Sequence, residues 1–549
     1  MYADYDIREM SLALDFNRRR VETFLKENGL RLDEVETYIG VYNSEEELVG
    51  GGGLHNDIIK CVAVRPEERG SGLMARIVSR LQSIAEVAGY HTTMVFTKPE
   101  NLALFRDLGY VLIGQAPKAI LLESSTQRLN RFKDSLQALC NPEGDTGIIV
   151  MNANPFTRGH QYLIETSSRK VAHLVVMVVS EEKSDFLFSE RIAMVREGTK
   201  HIPNVVVIES GPYAISAATF PTYFLKELSD AAETQMMLDA DIFSRHIAPA
   251  LGANVRFVGT EPDDIMTRRY NEILKSTFNT IEIERLKGIS ASLVRKGHWE
   301  MAAPTSLPYV YSYYACKALI AELNLTPKPG LVDCHDSGAH KDMDYALMRR
   351  SIFALRPYFR EVAEAADNIV ALKEIGIRAE AAMLDATGGV NTHKGALFSL
   401  GLTIAAAASF KGKRFSRKEL QGRIMQLASK FPDAQATHGA VVRCRYPGTK
   451  SALENAREGF TLAFEACDAP TEHAALLYIV SRLDDTNILY RCGAEVLMEV
   501  KDKAAQMLKE GFDERDLMAL NDEYIRRNIS PGGAADMYAL SVLIRLIVN

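Results

Sequence analysis

The hydrophobic pattern of this chain changes its period near residue 311, and that change limits the folds open to it. Before it, short apolar runs alternate with amphipathic stretches. Val35–Tyr42, Ile58–Val64, Thr92–Phe96, Ile148–Met151, Leu174–Val179, Val205–Ile208 and Val255–Val258 have the length and composition of strands. Leu73–Ala88 and Gln161–Lys170 carry apolar residues at helical spacing. After it, Ala, Leu, Glu and Arg dominate and β-branched runs become scarce. There Phe359–Ala386, Ala396–Ala407, Glu472–Leu483 and Ala494–Leu508 read as helices. Alternating strands and helices predict sheets covered by helices, whereas the later half can bury its stripes only against other helices. The expected architecture is multidomain: a strand-and-helix domain over residues 1–125, a connector over 126–145, an α/β domain with an open, mostly parallel sheet over 146–310, and an all-helical domain over 311–549. Within the connector, Ser124–Leu139 is a polar helix candidate and Asn141–Gly147 is rich in turn formers.

A length of 549 residues suits about three or four domains. With 47% hydrophobic and 25% charged residues, the chain has enough apolar material for several cores, which excludes a disordered protein. A net charge of −7 gives no electrostatic basis for gripping duplex nucleic acid. No apolar run reaches the roughly 18 residues a membrane span needs. The start of the chain is acidic where a signal peptide is basic and apolar. Seven scattered cysteines with no metal-like spacing fit free thiols in a reducing compartment. The expected location is the cytoplasm, with no nucleic-acid or membrane partner.

Chemistry concentrates first in the run Asn154-Pro155-Phe156-Thr157-Arg158-Gly159-His160, where a strand ends and a helix begins. Gly159 lets the backbone approach a phosphate, and the helix start adds partial positive charge. His160 can donate to a phosphate oxygen as charge builds in the transition state. A second run, Ile289-Ser290-Ala291-Ser292-Leu293-Val294-Arg295, begins another helix. Ser290 and Ser292 suit the β- and γ-phosphates of a nucleotide, and Arg295 suits the departing pyrophosphate. The Gly259-Thr260 turn after a strand, with Arg268 and Arg269 beyond it, is a further candidate for covering the nucleotide. The two runs together resemble the nucleotidyltransferase superfamily, a Rossmann-like fold with a His/Thr-x-Gly-His loop and an Ile-Ser-x-Ser-x-x-Arg segment. Thr157 stands where many members have His. It can hydrogen-bond but carries no charge, so its expected contribution to catalysis is positioning.

In the first domain a strand, a turn and a helix start surround Arg69-Gly70-Ser71-Gly72. With Asn101–Phe105 and Leu108-Gly109-Tyr110 downstream, this stretch resembles the α+β acetyltransferase fold that binds acyl-coenzyme A. The resemblance makes Arg69, Gly70 and Gly72 candidate phosphate contacts. Glu67 departs from the Gln or Arg usual at its position, so the expected role is binding a pantetheine arm or a protein partner rather than acetyl transfer. An acetyltransferase-like domain followed by a nucleotidyltransferase resembles citrate lyase ligase. That resemblance implies ATP and acetate as substrates, acetyl-adenylate and pyrophosphate as first products, and the thiol of the citrate lyase acyl carrier subunit as acceptor, with release of AMP.

The helical half carries four polar loops. Thr326–Asp344 contains Lys328, Asp333, His335, Asp342 and Asp344. Thr387–Gly395 contains Gly388, Gly389, Asn391, His393, Lys394 and Gly395. Ser481–Asn487 contains Asp485, and Asn528–Asp536 closes the set. Asp333, His335, Asp342 and Asp344 are expected to hold Mg2+ with a nucleotide's phosphates. The second loop, together with Lys328, suits a phosphate chain. The half is similar to triphosphoribosyl-dephospho-coenzyme A synthase. That similarity implies ATP and 3'-dephospho-coenzyme A as substrates and adenine as leaving group. The charge that develops on the ribose calls for a nearby carboxylate, for which Asp342 and Asp485 are the candidates. Two other readings stay open on the residues alone: a coenzyme-biosynthesis nucleotidyltransferase with a different acceptor, and a docking platform for the lyase without catalysis.

Overall fold

The computed structural model describes residues 5–140, 143–216, 219–225, 227, 230–261, 264–432, 442 and 444–548. The start of the expected turn, Asn141-Pro142, lies outside them. The chain packs as two compact units, one of Met1–Asn152 with Tyr162–Lys287, the other of Ala153–Gln161 with Gly288–Asn549.

The first unit holds two sheets. One contains β1 (Asp6–Glu9), β2 (Thr37–Tyr42), β3 (Leu48–His55), β4 (Ile58–Val64), β5 (Met94–Thr97), β6 (Val111–Ala116) and β7 (Ala119–Glu123), in the order β1-β2-β3-β4-β5-β7-β6. Its neighbours are antiparallel except β4 and β5, which run parallel and pair only at Ile58–Met94 and Ile59–Val95 before parting. The other contains β8 (Thr146–Met151), β9 (His173–Val178), β10 (Val205–Glu209), β11 (Ala253–Gly259) and β12 (Thr280–Ile283), all parallel, in the order β10-β9-β8-β11-β12. From β8 the strand order steps outward first through β9 and later through β11. The carboxyl end of β8 is therefore a topological switch point, where open α/β sheets take their ligands.

One apolar cluster runs through both sheets, joining Phe24, Tyr38 and Phe96 to Ile148, Val175, Met177 and Phe243. The connector is part of this core rather than a tether. Its helix, Gln127–Gln137, buries Leu129 and Leu136, two turns apart on one face, in the same cluster. Burying each leucine contributes about 1.5–3 kcal/mol, enough to hold so short a helix in place.

The second unit is helical. Its helix Leu307–Asn324 packs against Tyr345–Ala365, Lys394–Ala408 and Gly532–Ile547, and before Asn324 none of its side chains is fully exposed. The single helix expected over Phe359–Ala386 is two, Tyr345–Ala365 and Ile369–Thr387. The chain turns at Ala366, with φ of 46°, and Asn368 starts the second helix by accepting the Ala371 N–H at 3.2 Å. The last polar loop is shorter than expected, because a helix already begins at Gly532. Among the described residues no helix is long and apolar enough to cross a membrane.

Candidate active sites

In the first unit, the carboxyl end of β8 is held by a buried arginine. Arg191, fully buried, donates to the backbone carbonyls of Asn152, Val179 and Phe186 at 2.8, 2.9 and 3.1 Å and to the Asn152 side-chain oxygen at 2.7 Å. Burial holds its pKa below the usual guanidinium value, so the carbonyl cage and the nearby Glu181 and Glu182 carry its charge. Arg191 thus fixes the base of the loop, a role with no local signal in the sequence. β11 runs parallel to β8, paired with it up to Arg256–Ile148, and ends at Gly259 as β8 ends at Met151. The Gly259–Thr260 turn therefore stands at the same sheet edge. Thr260 Oγ1 accepts the Arg285 N–H at 3.0 Å, and the space beside the Gly259 Cα is open.

Within the second unit the loop residues Ala153–Gln161 meet the segment 288–295. Arg295 donates to the Asn154 carbonyl, and Ile289 is the nearest side chain to Gly159. The Thr157 backbone N–H donates to His160 Nδ1 at 3.1 Å, and Thr157 Oγ1 lies 3.0 Å from the same nitrogen. A backbone amide can only donate. Nδ1 is therefore the acceptor, and the neutral ring carries its proton on Nε2. Thr157, 3% exposed, orients this imidazole. Pro155 and Phe156 are buried and shape the loop from beneath, whereas Asn154, Gly159 and His160 are half-exposed. Ser290 caps the short helix Ala291–Val294 by accepting the Ser292 N–H at 3.2 Å, and the two serine hydroxyls are 2.7 Å apart.

Arg69, Gly70 and Gly72 form the turn from β4 into the helix Leu73–Val87. Gly70 and Gly72 have φ of 86° and 82°, which an L side chain rarely adopts, and both are open on the Cβ side.

The second site is a cavity of about 980 Å³ in the helical unit. All four polar loops reach it, through Lys328 and Asp342, Asn391 to Gly395, Asp485 to Asn487, and Ser530 to Asp536. Three helices begin at its wall, at Lys394, Thr486 and Gly532, and loop side chains already accept from their first turns: Asn391 Oδ1 takes the Lys394 N–H at 3.2 Å, and Asp485 takes N–H groups of the other two. Lys328 is buried and ion-paired with Glu322, which also lines the cavity. His393 lies 3% exposed with Nδ1 2.9 Å from Ser351 Oγ, and its buried Nε2 has no hydrogen-bond partner among the described residues. Asp536 Oδ2 sits where a Cβ on Gly395 would come within 2.0 Å, so only glycine fits there. Burial and the charges of Glu322 and Asp485 push the Asp536 carboxyl well above the usual carboxylate range.

Other expectations are corrected by these contacts. Asp333, His335, Asp342 and Asp344 do not gather. Asp333 accepts the N–H groups of Lys328, His335 and Asp336, Asp344 caps Tyr345–Ala365, and His335 points to solvent. Among the described residues no three His, Cys, Asp or Glu side chains form a metal-holding group. Gly388 and Gly389, with φ of 66° and 93°, end the helix Ile369–Thr387 and do not line the cavity. Lys394 Nζ is paired with Glu380. Asp485 accepts Asn487 N–H and Ala534 N–H, each at 2.9 Å, one on each oxygen. It braces two helix starts, which makes it a positioning residue.

Burial lowers His340 to about 4 and His393 to about 3, with Arg491 and Lys328 respectively adding repulsion. The folded chain keeps both neutral, while the unfolded chain protonates them below about 6.5. Their contribution to stability is complete above that pH and is lost as pH falls. Replacing both by Gln should therefore reduce the acid-side slope of stability between pH 6 and 4, by at most about 2.7 kcal/mol per pH unit, reached near pH 5. Urea midpoints measured across that range give the slope, and equal slopes for the two proteins would contradict buried, neutral histidines.

Comparison with known proteins matches two families to this chain. The family described as citrate lyase ligase C-terminal domain matches residues 146–304, and the family described as ATP:dephospho-CoA triphosphoribosyl transferase matches 309–549. A [citrate [pro-3S]-lyase] ligase of Haemophilus influenzae is 40% identical over 293 residues, 50% of this chain and 87% of the relative. That of Escherichia coli is 39% identical over 292 residues, 50% of this chain and 83% of the relative. A 2-(5''-triphosphoribosyl)-3'-dephosphocoenzyme-A synthase of Pectobacterium atrosepticum is 35% identical over 258 residues, 41% of this chain and 85% of the relative. The chain is an enzyme that belongs to two families at once, the citrate lyase ligases in its front part and the triphosphoribosyl-dephospho-CoA synthases in its helical part.

Proposed function

We propose that the two sites carry out successive parts of citrate lyase maturation, with the work divided over 1–125, 126–145, 146–310 and 311–549 as the sequence suggests. In the front part, acetate oxygen attacks the α-phosphorus of ATP, pyrophosphate leaves, and acetyl-adenylate forms. The thiol of the acyl carrier subunit then takes the acetyl group and AMP leaves. Adenylation replaces a poor leaving group by a good one. The observation that carries this reading is the meeting of the two runs: Arg295 is bonded to the Asn154 carbonyl, and His160 is held by Thr157 with its proton on Nε2. His160 donates to the phosphate under attack, Arg295 balances the departing pyrophosphate, and Ser290 and Ser292 hold the outer phosphates.

In the helical part, adenine leaves the ribose of ATP and a hydroxyl of 3'-dephospho-CoA takes its place. The departing base needs a proton, and Asp536 is the carboxyl whose surroundings let it keep one. His393 Nε2 bonds a ligand oxygen. Asp342, exposed at the cavity, would help hold magnesium on the nucleotide's phosphates, where the ion would balance their charge; among the described residues no group of carboxylates and imidazoles forms a cage for it. The turn at Arg69, Gly70 and Gly72 is assigned to the pantetheine arm of the carrier. All seven cysteines are free, in keeping with the cytoplasm.

Two incubations of the purified chain test this reading. Carrier, ATP and acetate should yield AMP and pyrophosphate. ATP and 3'-dephospho-CoA should yield adenine. Pyrophosphate release with phosphopantetheine instead of acetate would make the front part a coenzyme-biosynthesis enzyme, and carrier binding without AMP would make it a docking platform.

A further inference from the structure

The helix Ala291–Val294, which ends at Arg295, has only four residues. A helix of one turn has almost no stability of its own, and its last carbonyls lack partners inside it. Two side chains answer those carbonyls. Tyr314, fully buried, donates its hydroxyl to the Val294 carbonyl, and Lys317 Nζ donates to the Arg295 carbonyl at 2.7 Å. Both stand on the helix Leu307–Asn324. The acceptors fall within the stretch matched by the ligase family, 146–304, and the donors within the stretch matched by the transferase family, 309–549. The same helix lines the transferase cavity with Leu319 and Glu322. Lys317 and Glu322 are five residues apart, about 7.5 Å along the axis at a rise of 1.5 Å per residue.

We propose that Tyr314 and Lys317, carried by the first helix of the transferase part, are positioning residues of the ligase reaction that hold Arg295 at the triphosphate. The inference rests on the assignment of Arg295 to the pyrophosphate. A short segment fixed at its carboxyl end by one charged and one phenolic donor keeps the guanidinium in place before ATP arrives, and without them binding must first order it. The ligase and the transferase then share a structural element rather than being merely tethered.

The test uses the full chain with Tyr314→Phe, Lys317→Met and Lys317→Arg. Acetate-dependent pyrophosphate release is measured over a range of ATP, and adenine release from ATP and 3'-dephospho-CoA serves as the second readout. Lys317→Met and Tyr314→Phe should each raise KM for ATP in the ligase reaction about tenfold and leave kcat within about twofold. Lys317→Arg should restore most of the affinity, and adenine release should match the unchanged chain throughout. An unaltered KM in both variants overturns the proposal, as does a parallel fall of both activities, which would mean general destabilisation. If the unchanged chain releases no pyrophosphate with acetate, the assignment of the ligase site fails first. If it does and the variants equal it, only the positioning role fails.

Discussion

His160→Ala should lower acetate-dependent pyrophosphate release by about three orders of magnitude, at the upper part of the range for losing one transition-state donor, while adenine release from ATP and 3'-dephospho-CoA stays unchanged. The size follows from the ring's fixed tautomer. Thr157 N–H occupies Nδ1, so the neutral ring carries its proton on Nε2, the nitrogen assigned to the phosphate. Alanine removes that donor and the ring that stacks on Phe156 at 6.0 Å. Thr157→Val should cost far less, about tenfold, because the backbone N–H that orients the ring remains and only the hydroxyl 3.0 Å from Nδ1 is lost. Rapid-quench measurement of pyrophosphate gives the chemical step, and adenine release in the same preparation reports on the fold. Loss of both activities in His160→Ala would refute the division of labour between the two parts.

What could be read from the sequence divides along a physical line. Features set by neighbours in the chain were legible. β4 was expected over the residues where it lies, and the helix starts at Arg158 and Ala291 were expected because glycine and hydroxyls act locally. Features set by distant packing were not. β3 spans Leu48–His55 with four consecutive glycines, Gly50 to Gly53, a composition that argues against a strand. The reason sits on another strand: a Cβ on Gly51 would lie 2.7 Å from the Tyr38 hydroxyl and 2.8 Å from the Ile39 carbonyl. The helix Leu307–Asn324 escaped detection because apolar residues lie on all its sides, including the partly exposed Tyr309, Tyr313 and Ile320, and leave no apolar stripe. At the sites, Arg191 and Glu322 gain their roles from groups brought near by folding, and nothing beside them in sequence announces it. The expected metal cluster failed for the opposite reason. Its acids are close in sequence, yet Asp333 and Asp344 bind backbone N–H groups of the loop and helix that follow.

The same distinction bears on which carboxylate serves the transferase, and a pair of substitutions decides it. Asp536→Asn should reduce adenine release at least a hundredfold, and Gly395→Ala should do nearly the same although it removes no chemical group. In the second variant the new Cβ would need the space of Asp536 Oδ2, only 2.0 Å away, so the carboxyl must leave its place at the start of the helix Lys394–Ala408. A residue that merely packed would tolerate Asn, which has the shape of Asp but no proton to give the departing base. Asp485→Asn disturbs a brace instead: its two oxygens accept Asn487 and Ala534 N–H, and an amide keeps only one of those bonds. It should therefore lower thermal stability by about 1–3 kcal/mol along with activity. Asp536→Asn should leave the unfolding midpoint unchanged or raised, because it removes a carboxyl that burial and two neighbouring carboxylates disfavour as an anion. Normal adenine release by Asp536→Asn would eliminate it as the acid and leave Glu322, now paired with Lys328, as the next carboxylate at the cavity wall.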